Sequence, residues 1–247
     1  MAPTDQAGYD ARFEWGLAGA LALAPLVDVL VVVDVLRFTT SVDVAVSRGA
    51  EVIPCRFRGP EAEQLAAQHR AELAAWVEPG DTTRFSLSPV ALQRIERGTR
   101  LVLPSPNGST IAVEAAAAGA AVLAGCLRNA AAVAGWCEAR GPVAVIAAGE
   151  QWPGGALRPA YEDLLGAGAI MAALAAAGRR LSPEAASSAA AFRAARLPDD
   201  LLACSSAVEL AAKGFAADLP FAAALNVSSC VPVLRQGIFV GRLDRLL

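Results

Sequence analysis

Imidazole is nearly missing from this sequence: His69 is the one histidine in 247 residues. A serine triad or a histidine-ligated zinc site needs more than that, so neither is expected. Cysteine is sparse and unpatterned. Cys55, Cys126, Cys137, Cys204 and Cys230 form no CxxC pair and are odd in number, which fits reduced, buried thiols in a cytoplasmic protein. Charged residues make up only 18% of the chain, at a formal net charge of −3, and leave no basic field for nucleic acid. The longest uncharged apolar stretch, Leu164–Gly178, is 15 residues and rich in Gly and Ala, too short to span a membrane. Asp5 and Asp10 precede the apolar stretch Gly16–Val27, where a signal peptide would need basic residues, so none is read. Gly/Ser-rich linkers are lacking as well. Any chemistry must therefore rest on carboxylates, hydroxyls, arginines and backbone amides.

What is present is organised as a repeat. A shift of 70 positions lays "VVVDVLRFTTSVDVAVSRGAEVIPC" (Val31–Cys55) over "LVLPSPNGSTIAVEAAAAGAAVLAG" (Leu101–Gly125). Each copy reads as buried strand, polar loop, short helix, glycine stop and second strand. Each then enters a further helical stretch, Pro60–Ala75 and Asn129–Ala139. Units of this kind build parallel sheets, with the loops after both first strands opening on one carboxyl edge. Pro142–Ala147 is a third buried strand, Pro159–Gly178 a long helix, and Pro183–Leu225 a helical stretch interrupted near Leu197–Asp200. Two short strands about Gln236-Gly237 close the chain. The fold class expected is α/β: a layered α/β/α arrangement with a largely parallel or mixed sheet built from repeated strand-loop-helix units. It forms a single domain over 1–247, in which the repeat allows two similar subdomains (about 25–95 and 96–160) before a helical C-terminal part. The irregular stretch Val77–Pro89 is placed as a loop over the site.

The strand ends carry the candidate chemistry. Asp34 closes an apolar strand, where it serves either as a helix cap or as a metal ligand. Arg37 has the fork geometry for phosphate or carboxylate, unless it pairs with Asp34. "PSPNGST" (Pro104–Thr110) sets a tight turn before a helix and offers free amides to an anion, or is an ordinary strand-to-helix turn. Glu150 follows the third strand. Glu162 and Asp163 open the long helix, where the helix dipole alone could account for them. "GAGAIM" lies inside that helix instead of after a strand, so it reads as small-residue packing and not as a dinucleotide loop. Carboxylates beside an anion cradle suit Mg²⁺ and a phosphate monoester. Hydrolysis of such esters calls for accelerations up to roughly 10²¹-fold. One positioned donor supplies only about 3–4 kcal/mol, whereas a divalent ion supplies more.

"VVVDVLRFTTS", "PNGST", "GE", "EDLLGAGAI" and "SSAVELAAKGFAADLPFAAALNVSSCVPVL" together resemble the 2-phosphosulfolactate phosphatase (ComB-like) family, in the family's order from about residue 29 to 241. The resemblance implies a cytoplasmic Mg²⁺-dependent phosphatase that converts 2-phospho-3-sulfolactate to 3-sulfolactate and phosphate, toward coenzyme M. It implies Asp34, Glu150, Glu162 and Asp163 as the metal-ligand candidates, and Asp34, Arg37 and Glu150 as the catalytic ones. Arg37, Thr39, Thr40, Asn107, Gly108, Ser109, Thr110 and Asn129 are the substrate-binding candidates. The partner is a small phosphate ester; a homodimer stays open, and no nucleic acid or membrane is expected. The connector "VEPGDTTRFSLSP" departs from the family's pattern, keeping only Ser88-Pro89. The organic portion of the substrate is thus less fixed than the chemistry. A non-catalytic phosphate-ester binder, or a phosphatase of another small organic phosphate, is the alternative. On this reading Asp34→Asn removes a metal contact and leaves the fold intact.

Overall fold

A computed structural model of the chain describes residues 2–81 and 83–241. Its strands are β1 (Ala11–Trp15), β2 (Val29–Val33), β3 (Glu51–Cys55), β4 (Glu72–Leu73), β5 (Arg100–Pro104), β6 (Ala121–Gly125), β7 (Val143–Ala147), β8 (Glu150–Gln151), β9 (Leu157–Arg158), β10 (Pro232–Arg235) and β11 (Ile238–Gly241). The helices are α1 (Gly16–Leu23), α2 (Phe38–Ser47), α3 (Pro60–His69), α4 (Pro89–Leu92), α5 (Gly108–Ala117), α6 (Ala130–Glu138), α7 (Tyr161–Ala176), α8 (Pro183–Ala194), α9 (Asp199–Leu202), α10 (Ser205–Ala212) and α11 (Leu219–Ala223).

The β-branched run of β2 forms a strand buried on both faces, as an apolar run without alternation should. Val29, Val31 and Val33 join a core with α6, α7 and α8, while Leu30 and Val32 join another with α1, α2 and α5. Helices therefore cover both faces of the sheet, in the α/β/α layering expected. "GAGAIM" is packing: a Cβ on Gly166 would lie 2.7 Å from Val35 and 2.8 Å from Val33, and one on Gly168 would strike α8 at Ser188 and Phe192.

Nine strands form the main sheet in the order β1-β7-β2-β6-β10-β11-β3-β5-β4. Strands β1, β7, β2 and β6 pair in parallel, and so do β3, β5 and β4. Between the two groups, β6–β10, β10–β11 and β11–β3 are antiparallel, so the groups run in opposite senses. The repeat shows as a reciprocal exchange. First strand β2 pairs with the other unit's second strand β6 (Val29 beside Ala121), and β5 pairs with β3 (Arg100 beside Glu51).

This corrects one expectation. The loops after β2 and β5 do not open on a common edge of one parallel sheet, because those strands run oppositely. They meet because α2 and α5 each carry the chain from one half of the sheet to the other. The start of α5 then lies against the loop after β2, where Gly108 approaches Asp34 and Phe38.

Local boundaries differ in instructive places. The helix expected to run to Ala75 ends at His69, where Arg70 turns left-handed (φ +49°) and the chain enters β4. The stretch Pro183–Leu225 breaks into four helices. The closing strands form as expected, with Gln236 and Gly237 at φ +50° and +80°, the left-handed pair a two-residue hairpin requires. All five cysteines are free, and Cys230 alone is not fully buried. No helix among the described residues is long and apolar enough to cross a membrane.

Candidate active site

Asp34 leaves the end of β2 and is 7% exposed. Its Oδ1 accepts the Phe38 N–H at 3.2 Å and its Oδ2 accepts the Gly108 N–H at 2.9 Å, so one carboxylate ties together the first residues of α2 and α5. Gly108 is required for this approach. A Cβ there would sit 2.5 Å from the Phe38 ring and 2.7 Å from Asp34 Oδ2. Asp163, in the first turn of α7, does the same work behind it: Oδ1 accepts from Val35 N at 2.7 Å and Oδ2 from Gly149 N at 2.8 Å. The loops after β2 and β7 are thereby held to one helix end. Glu150 follows, and its Oε2 accepts a hydrogen bond from Asn107 Nδ2 at 3.2 Å. Glu162 is buried and accepts a hydrogen bond from the Cys204 thiol at 3.3 Å.

These acids repel one another in a site of low polarity. Burial, opposed by the Phe38 and Gly108 amides and reinforced by Glu162, raises the Asp34 pKa. Burial, then Asp34 and Glu162, lifts Glu150 from 4.5 to about 7. Burial, Glu162 and Asp34 raise Asp163 as well, against its two amide donors. Among the cations, Arg158 alone counts among the main influences on Glu150.

A cleft of 450 Å³ opens beside this cluster, lined by Asp34, Glu150, Asn107, Ser105, Arg37, Arg58, Lys213 and Phe215, with Trp76 and the connector residues Val77–Pro79 and Leu87. The connector therefore borders the site, as its irregular composition suggested. Asp34, Arg37, Asn107 and Glu150 line the cleft; Glu162 and Asp163 stand behind its wall. Among the described residues, no three His, Cys, Asp or Glu side chains already converge tightly enough to enclose a metal ion.

Arg37 does not pair with Asp34. Its Nη1 donates to Asp218 Oδ2 at 2.7 Å, and its guanidinium lies 4.3 Å from the Phe215 ring centre. The other Asp218 oxygen accepts the Ser88 hydroxyl. The remaining candidates face the backbone. Thr39 Oγ1 donates to Asp34 O and Thr40 Oγ1 to Val35 O, both at 2.8 Å. Ser109 Oγ donates to Leu103 O at 3.2 Å and Thr110 Oγ1 to Pro106 O at 2.7 Å. Asn129 bonds Cys126, Ala124 and Cys230 in the interior. The structure does not bring these five side chains into the cleft. It adds Arg58, Lys213 and Phe215 to the cleft wall and Asp218 as the partner of Arg37, which no local motif marked, although three of them lie in the stretch "AAKGFAADLP" that carried the resemblance.

Residues 20–237 match the family model described as 2-phosphosulpholactate phosphatase. A probable 2-phosphosulfolactate phosphatase of Thermus thermophilus is 35% identical over 218 residues, covering 84% of this chain and 88% of the relative. The 2-phosphosulfolactate phosphatase of Methanothermobacter thermautotrophicus is 33% identical over 211 residues, covering 84% and 87%. With its matches running through every element that builds the cleft, the chain belongs to the 2-phosphosulfolactate phosphatase family, and with it to the phosphoric monoester hydrolases.

Proposed function

We propose that the chain hydrolyses 2-phospho-3-sulfolactate to 3-sulfolactate and phosphate in a Mg²⁺-dependent reaction in the cytoplasm. The observation that carries this is the meeting of Asp34, Glu150 and Arg37 on one cleft, from three distant parts of the chain. The donor set fits a divalent cation. Burial, together with acidic neighbours, raises the proton affinity of Asp34, Glu150 and Asp163, and Mg²⁺ needs only one or two carboxylates beside its waters. Asp34 and Glu150 would hold it from the cleft wall, with Glu162 and Asp163 lending negative charge from behind. When bound, the ion neutralises phosphoryl oxygens and lowers the pKa of water.

The chain's own residues do the rest. Arg37, fixed by Asp218 and stacked on Phe215, offers its remaining N–H donors to the phosphoryl oxygens. The Gly108 amide and the α5 dipole set the direction of the Asp34 carboxylate. Asn107 Nδ2 donates to Glu150 and orients its carboxylate on the cleft wall. The test is phosphate release from 2-phospho-3-sulfolactate with Mg²⁺ and with excess EDTA. Metal-dependent release is expected. Tight binding of phosphate esters without release would instead make the chain a binder that has lost turnover.

A further inference from the structure

The cleft has an annex. A second chamber of 270 Å³ adjoins it, the two sharing Arg37, Arg58, Trp76, Val77, Leu87 and Phe215 as a common wall. Its remaining surface is mostly apolar, from Ala62, Leu73, Ala74 and Pro104, with Arg84 at the rim. Three arginines and no acid line it. Arg37 is matched by Asp218, but among the described residues neither Arg58 nor Arg84 forms an ion pair. The Arg58 guanidinium instead lies 5.1 Å from the ring centre of Trp76, itself 73% exposed. A cation over an aromatic face, beside apolar walls and without a counter-ion, is a receptor for an anion on a short carbon stem. The two chambers divide the charge: Asp34, Glu78 and Glu150 border the cleft and not the annex, whose charged lining residues are all arginines.

We infer that the annex seats a second anionic group of the substrate, a carboxylate or sulfonate on its organic portion, and that Arg58 reads it. This rests on the phosphatase reading of the neighbouring cleft. It adds the division of labour: Arg37 serves the phosphoryl group, and Arg58, with Arg84 on the same chamber, serves the other end. The connector supplies Val77, Arg84, Ser86 and Leu87 to the annex, so the stretch that departs most from the family pattern borders the organic end of the ligand.

The test compares wild type with Arg58→Ala and Arg58→Lys, using 3-sulfolactate and inorganic phosphate as separate probes in calorimetry, and 2-phospho-3-sulfolactate in turnover. Arg58 is exposed, so folding is unaffected, and circular dichroism checks this. One charge-assisted contact corresponds to about a 10–100-fold change. Arg58→Ala should weaken 3-sulfolactate binding and raise KM by about that factor, with Arg58→Lys between it and wild type. Inorganic phosphate affinity should stay unchanged. If phosphate and sulfolactate binding fall together, Arg58 holds the phosphoryl group and the inference is overturned. Unchanged sulfolactate binding and KM overturn it equally, while turnover itself leaves the phosphatase reading standing. Conversely, Arg58-dependent sulfolactate binding without any hydrolysis would uphold the annex and defeat the phosphatase reading.

Discussion

Asp34→Asn is the sharpest probe of the site, because geometry and sequence disagree about it. From the sequence alone the substitution removes a metal contact and spares the fold. The structure gives the carboxylate a second duty, since both its oxygens accept main-chain N–H donors from the starts of two helices. Asparagine keeps one oxygen. If that oxygen stays on Gly108 N, the shorter bond at 2.9 Å, the new amide nitrogen faces the Phe38 N–H, donor against donor, where the present bond is 3.2 Å. A buried donor left without an acceptor costs up to about 1–3 kcal/mol, offset in part because the substitution also removes a charge that burial and Glu162 disfavour. In a chain of this size the full cost lowers Tm by about 2–12 °C. The assay is thermal unfolding with EDTA at pH 8, in parallel with phosphate release. Expected is a folded but destabilised protein without measurable turnover. A Tm above that of wild type would show that relief of the buried charge outweighs both amide bonds, and the stapling argument would fail.

Gly108→Ala places a methyl group where Phe38 and Asp34 already sit, so it should cost about 1–3 kcal/mol and sharply reduce kcat, read by urea unfolding and phosphate release. Asp218→Ala strands the Arg37 charge in a pocket where that side chain is 12% exposed, and should destabilise by about 3 kcal/mol while raising KM more than it lowers kcat. Glu150→Gln should change stability with pH. The folded chain keeps the Glu150 proton up to about pH 7, whereas at the ordinary pKa of 4.5 the unfolded chain has already released it. Wild-type stability therefore declines as pH rises through that window, and the glutamine variant escapes the decline. Its advantage in EDTA should appear between pH 5 and 7 and level off above; equal stability of the two proteins at pH 8 would show that Glu150 is not strained there.

How much of this was legible in the sequence depends on how far apart the cooperating residues lie. The run Val31–Val33 announced a buried strand, and Gln236-Gly237 a hairpin turn, because both signals are local. Asp34 and Glu150 were marked by being charges at the ends of apolar strands. Thr39, Thr40, Ser109 and Thr110 looked equally promising, but a hydroxyl just after a strand can satisfy a nearby carbonyl, and here each does. Arg58 was not marked at all, and Lys213 and Asp218 were marked only as part of a long resembling stretch, since nothing in a helix period tells which cleft the residues after α10 will face. The opposed sense of β2 and β5 was equally hidden. A repeat fixes what each unit is and is silent on whether two units lie side by side or exchange strands.

The placement of the β10–β11 hairpin has a consequence for assembly. Among the described residues it follows every other strand of the sheet in chain order, yet it sits in the middle, joining β6 to β3 through Val233 beside Leu123 and Phe239 beside Val52. A ribosome-bound chain lacking it carries two half-sheets, each with a raw inner margin of unpaired amides and carbonyls. Such a nascent protein stays sticky until the hairpin docks between them. Mutations that slow hairpin closure should surface as aggregates during expression even where the finished enzyme is sound.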